Sequence, residues 1–203
     1  MKALGLCLLL AVYALAGHET IADDSIKLQI AQEEVLRQSG LLSLQNLKVF
    51  YYDINGGTGD EIRKKLNQLG PKDWRGISRD AHLKWTIGWK WPYDQSGKAL
   101  FQKTTSNIRF ELTFPRITKG PMPNGWLEFL ALLAKHEYQH AQHALDHYQQ
   151  IADKIRKAAS NTKKFNYKAA NLIGEEVLEQ IRRLDREYDI ATDHGKTEGI
   201  SFP

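Results

Sequence analysis

At 203 residues, with 42% hydrophobic and 26% charged side chains, the chain has the length and composition of one domain with its own core and is short for two. Its formal charge of +4 is scattered, with no basic run longer than Arg63-Lys64-Lys65, which argues against nucleic acid as a partner. A single cysteine, Cys7, excludes a fold stapled by its own disulfides.

The first residues are a targeting pattern. Lys2 precedes an apolar run from Ala3 to Ala16 that ends in Ala14-Leu15-Ala16. Such a run is short for a membrane span, and the small residues at 14 and 16 fit signal-peptide cleavage after Ala16. The expectation is an exported chain, secreted or periplasmic, with no stable membrane anchor once residues 1–16 are removed. Cys7 lies too early in the run for lipid attachment. Cleavage removes Cys7 and Lys2, so +4 less one leaves a mature charge of +3. Any metal site must then use His, Asp or Glu. Residues 17–44 read as an N-terminal segment, and 45–203 as a single domain.

In chain order, "LKVFYYDI" (47–54) has the β-branched and aromatic content of a strand, "NGGTGD" (55–60) is a turn, and "EIRKKLNQLGP" (61–71) has helical spacing that stops at Gly70-Pro71. "HLKWTIGWKW" (82–91) and "NIRFELTF" (107–114) predict an antiparallel pair. Trp85, Ile87, Trp89 and Trp91 alternate on one face of the first. A sheet buried under helices needs such a stripe, so core is the main reading and a glycan platform the weaker one. The strand at 107–114 is expected beside the active helix, where it could pair with an extended peptide.

From residue 125 the pattern is helical. Residues 125–159 contain no Pro or Gly after the first, and Asn124 is placed to cap the first turn. After the polar "SNTKK", apolar residues spaced three or four apart predict a second helix over 166–192, antiparallel to the first. Gly195 stands where a left-handed cap is expected, putting His194 at the helix end.

The first helix carries "HEYQH". His136 and His140 stand about 40° apart on one helical face, close enough to share a zinc ion, while Glu137 lies about 100° from His136 and can act as a base without coordinating. Phe129, Leu132 and Leu133 lead into that face, which His143 and His147 continue. Those two read as polar residues behind the ligands more than as ligands, since a catalytic zinc normally keeps three protein donors. Asp146 points away. The third ligand must come from elsewhere, and the second helix is the natural source. Mirroring residue 138 across a break near 162 lands on about residue 186, within "DREYDIATDHG" (185–195). With the apolar seam inward, Glu187 and His194 share a flank and Asp189 lies beyond Tyr188, so geometry favours Glu187 or His194.

"HEYQH" together with the ending "YDIATDHG" resembles a bacterial family of predicted secreted zinc-dependent proteases whose specific mark is YDxxTxHG. The likeness extends through "YYDINGGTGDEIRKKLNQLGP", "WTIGWKW" and "ELTFPRI", over about residues 45–202. It implies a zincin-like domain in which His136 and His140 hold zinc, Glu137 is the base, and Tyr188, Asp189, Thr192, His194 and Gly195 form the second motif. Geometry and resemblance together put His194 first as third ligand, with Glu187 and Asp189 as alternates. Asp189 or Asp193 would then orient an imidazole, and Tyr188 could donate to an oxyanion, its plainer role being a core residue with a polar tip.

The resulting expectation is an α+β, zincin-like fold: a small antiparallel sheet and a helix packed against a C-terminal helical hairpin carrying HExxH. Its function is expected to be zinc-dependent hydrolysis of a peptide or protein substrate. The alternative is a non-catalytic zinc-binding or zinc-delivery protein using the stripe His136, His140, His143 and His147.

Overall fold

The computed structural model describes residues 25–202, Trp74 excepted. The expected signal peptide, residues 1–16, lies outside the described residues. A first helix, α1 (25–38), is followed by β1 (Leu47–Asn55), α2 (Gly59–Leu69), β2 (His82–Lys90), β3 (Thr105–Lys119), α3 (Trp126–His147), α4 (Gln149–Asn161) and α5 (Tyr167–Ala191). The class is α+β, as expected.

The sheet differs from the expectation in one respect. Its order is β1-β3-β2, and β2 pairs antiparallel to β3 while β1 pairs parallel to it, so the sheet is mixed. After β1 the chain passes through α2, reverses in β2 and reverses again into β3, so β3 enters the sheet between them in the direction of β1; a single tight hairpin from β1 could give only an antiparallel neighbour. β3 is therefore the central strand and has no free edge for a peptide; β2 is the edge strand that packs against α3. Along β3, Ile108, Phe110, Leu112 and Phe114 are buried and alternate with Arg109, Glu111 and Thr113 on the other face. Pro115 sits beyond the last β2 partner, Thr113, where a strand tolerates a missing N–H.

α2 starts at Thr58, whose hydroxyl accepts from Glu61 N–H while the Glu61 carboxylate accepts from Thr58 N–H. At the start of α3, Gly125 (φ 79°) occupies the cap position and Asn124 does not cap. The expected single helix over 125–159 is two: its pattern breaks at Tyr148, letting α4 turn onto β3 and the short 3-10 turn Phe101–Lys103. α5 begins where expected, its cap Asn166 accepting from Ala169 N–H.

Of the N-terminal segment, residues 25–44 contribute to the same core. Leu36 and Leu41 are fully buried, and the buried Gln32 side chain bonds to both Ile117 backbone groups and to Trp126 Nε1. Among the described residues no helix is long and apolar enough to cross a membrane.

The tryptophan stripe lies along α5. Trp85 Nε1 donates to Asp185, Trp89 covers Gly174, and the Trp91 ring lies 5.7 Å from that of Tyr167. A Cβ at Gly174 would fall 2.4 Å from the Trp89 ring, so glycine is what lets strand and helix approach here. The stripe is packing, not an open platform.

Candidate metal centre

α3 and α5 run antiparallel, and the midpoint inferred from sequence is close to the observed one: His136 faces Asp189, and His140 faces Asp185. The Nε2 atoms of His136 and His140 each lie 3.3 Å from Asp189 Oδ1. That separation matches the edge of a tetrahedron, about 3.3–3.4 Å for ligand bonds of about 2.0–2.1 Å. His136, His140 and Asp189 thus form a donor set that fits a zinc ion.

The outer nitrogens of the same two rings are also held. His136 Nδ1 is 2.8 Å from Glu198 Oε2, and His140 Nδ1 is 3.1 Å from Asp185 Oδ1. A carboxylate behind each imidazole fixes the tautomer that turns Nε2 toward a metal. Asp185 is shared: Oδ1 also faces His143 Nδ1 at 2.9 Å, and Oδ2 accepts from Trp85 Nε1 at 2.8 Å.

Glu137 is buried beside the pair, and its Oε2 accepts from Leu83 N–H on β2 at 2.7 Å. Tyr188 stacks on His136, ring centroids 4.9 Å apart, and its hydroxyl donates to Glu198 Oε1 at 2.8 Å. That hydrogen bond commits the proton considered for an oxyanion.

Charge follows the geometry. Burial opposes protonation of His140, but hydrogen bonds to Asp185 and Asp189 outweigh it and push the imidazole up to about 10. Burial likewise opposes charge on His136, and Asp189, Glu137 and Glu198 overcome it, raising its pKa. Burial alone would raise Asp189, yet its bonds to His136 and His140 hold it well below the usual carboxylate range.

Glu187 and Asp193 sit apart from the donor set, and His194 stands beside it. Glu187 is on the outer side of α5, 3.7 Å from Arg183, with its side chain 63% exposed. Asp193 pairs with Lys196 at the surface and does not orient an imidazole. His194 stands at the rim, with Nδ1 3.6 Å from Asp189 Oδ2 and Nε2 3.4 Å from Arg79. Burial and the Arg79 guanidinium lower its pKa. His147 turns Nδ1 to the His143 carbonyl, so the histidine stripe does not continue as a row of converging donors.

The ending YDIATDHG acquires a physical meaning. Tyr188 stacks on one imidazole and Asp189 faces both. Thr192 Oγ1 accepts from Gly195 N–H at 3.1 Å, closing a turn in which Asp193 and His194 adopt positive φ. Gly195, at φ 85°, brings its backbone against His136: a Cβ there would lie 3.4 Å from Nδ1 and 2.3 Å from Ile200.

The matched stretch decides the family. The chain belongs to DUF922, a family of bacterial proteins of unknown function, whose model matches residues 49–195. That span of the DUF922 protein takes in HEYQH, Asp185 and the YDIATDHG turn, but not Glu198. No curated protein and no solved structure matches the chain.

Two residues of the centre, Asp185 and Glu198, were not singled out from the sequence. A signal for Asp185 was present: carboxylates four apart at 185 and 189 on one helix complement histidines four apart at 136 and 140 on its antiparallel neighbour.

Proposed function

We propose that this protein is an exported zinc-dependent hydrolase acting on peptides, in which His136, His140 and Asp189 hold the metal. One observation carries the reading: both Nε2 atoms stand 3.3 Å from Asp189 Oδ1 while a carboxylate backs each ring. Zinc held there would supply Lewis acidity to a water and to the scissile carbonyl. Glu137 is anchored through Oε2 on Leu83 N–H, which leaves Oε1 to accept the proton of the attacking water and return it to the leaving amine. The likeness to predicted secreted zinc proteases supports the same class, with residues 1–16 as the export signal.

The test pairs activity with metal content. The purified mature chain, loaded with zinc, is assayed against a quenched-fluorescent peptide library beside Glu137→Gln. The expected result is loss of hydrolysis by about 10²–10⁴-fold in the variant with one zinc per chain retained. Zinc binding with no hydrolysis by either protein would favour the second reading, metal holding without turnover. That reading has its own observation: His140 Nδ1 and His143 Nδ1 also converge on Asp185.

A further inference from the structure

The residues after the family match cover the centre. From Gly195, against His136, the chain runs back along α3 as a strap, through the 3-10 turn Lys196–Glu198 and past Leu132 at Gly199. Glu198 is the polar hub, accepting from Tyr188 through one oxygen and facing His136 Nδ1 with the other. Beyond it Ile200 and Phe202 are buried; the Phe202 ring packs 5.4 Å from Trp126 and 5.3 Å from Phe129, and its carbonyl accepts from Arg63 Nε at 3.1 Å. The strap therefore touches the face of α3 that ends in His136, and is anchored at its far end by apolar packing independent of the metal.

We propose that Glu198 is a positioning residue of the metal centre, so that docking of the strap and binding of the metal are one linked equilibrium. The inference rests on the metal site proposed above. With the strap docked, the His136 Nδ1 proton is fixed on Glu198 and Nε2 presents its lone pair toward His140 and Asp189. With the strap displaced, His136 loses that partner and the ring is free to turn. Linkage is reciprocal, so bound metal holds the strap down by the factor with which the strap tightens the metal. Carboxylates behind metal-bound histidines are typically worth about 10–100-fold in affinity.

The test uses the mature chain and three variants, Glu198→Ala, Glu198→Gln and Phe202→Ala. Zinc affinity is measured by competition with a chromophoric chelator, the visible spectrum with Co2+ as probe, and strap release as tryptic cleavage after Lys196 with and without zinc. Expected results are about 10–100-fold weaker zinc binding and an altered Co2+ spectrum for Glu198→Ala, with under about tenfold weakening for Glu198→Gln, whose amide oxygen still accepts from Nδ1. Zinc should slow the cleavage in the parent and much less in Glu198→Ala. Phe202→Ala should release the strap more easily and weaken zinc while leaving the Co2+ spectrum of the loaded form unchanged. Affinity within threefold of the parent and an unchanged spectrum in Glu198→Ala would overturn the inference and leave the metal site standing. A parent that binds no zinc would overturn both. Should Glu198→Ala fail to fold without metal, Phe202→Ala decides: native circular dichroism with faster cleavage after Lys196 and weaker zinc binding supports the inference, and faster cleavage with zinc affinity within threefold of the parent overturns it.

Discussion

β2 and α5 lie side by side, and the two ends of their contact are built on opposite principles. At the start of α5, Trp89 lies on Gly174 and Trp91 sits among Phe101 and Tyr167, an assembly of rings at 4.8–5.7 Å held by packing. Toward the end of α5, Trp85 turns its Nε1 to Asp185, and from there inward the contact is imidazole and carboxylate. An apolar contact is stabilised by the area it removes from water and tolerates small changes of partner. A buried ionic cluster is stable only when every charge is matched, because desolvation is costly. The polar end meets that condition: no buried side-chain nitrogen or oxygen among the described residues lacks a hydrogen-bond partner. A divalent cation between the two imidazoles would offset part of the surrounding carboxylate charge.

The comparison is broken most strongly by removing a donor. Asp189→Ala or His140→Ala should weaken zinc binding by about 100-fold or more, roughly a quarter of the ~12 kcal/mol typical of a four-ligand zinc site; isothermal titration reads this directly. Asp185→Ala keeps all three donors but frees the rings of His140 and His143, and should cost about 10–100-fold in zinc affinity by the same measurement. At the apolar end, Gly174→Ala should destabilise the chain by about 1–2 kcal/mol, the overpacking against Trp89 being partly offset by the helix preference for alanine, and leave zinc affinity unchanged. Urea unfolding beside zinc titration separates the two ends.

The pH dependence is the most specific effect. His140 has a folded pKa near 10 against an unfolded value of about 6.5, so its contribution to the metal-free fold is complete below pH ~6.5 and is lost as pH rises toward 10. Asp189, depressed on folding, contributes above its unfolded pKa of about 4, and that contribution is lost as pH falls through its lower folded value. The metal-free chain should therefore melt at falling temperature between pH 6.5 and 10, and the zinc-loaded chain should not. Zinc binding near pH 7 should release between about one and two protons, read from titrations in buffers of different ionisation heat.

Much of this polar end was legible in the sequence. HEYQH fixed one wall, and reflecting it across the break near 162 reached the observed partners at 185 and 189. The donor within that stretch was less legible, because the seam was drawn through apolar residues alone. Leu184 is only partly buried and Ala191 is exposed, while Asp185, Tyr188 and Asp189 turn toward α3. Where the buried face of a helix becomes polar, hydropathy no longer marks it. Glu198 was harder still: it arrives by a turn through Asp193, His194 and Gly195, all at positive φ, which no helical periodicity extends to. The parallel pairing of β1 escaped for a related reason, since strand composition carries no direction.

The most direct test is zinc stoichiometry and affinity for the mature chain beside Asp189→Ala and His194→Ala. The account predicts one zinc per chain, lost or weakened at least about 100-fold in Asp189→Ala and changed by less than about threefold in His194→Ala, whose ring stands at the rim against Arg79. Binding that survives Asp189→Ala but is lost in His194→Ala, or no zinc in the parent chain, would contradict it.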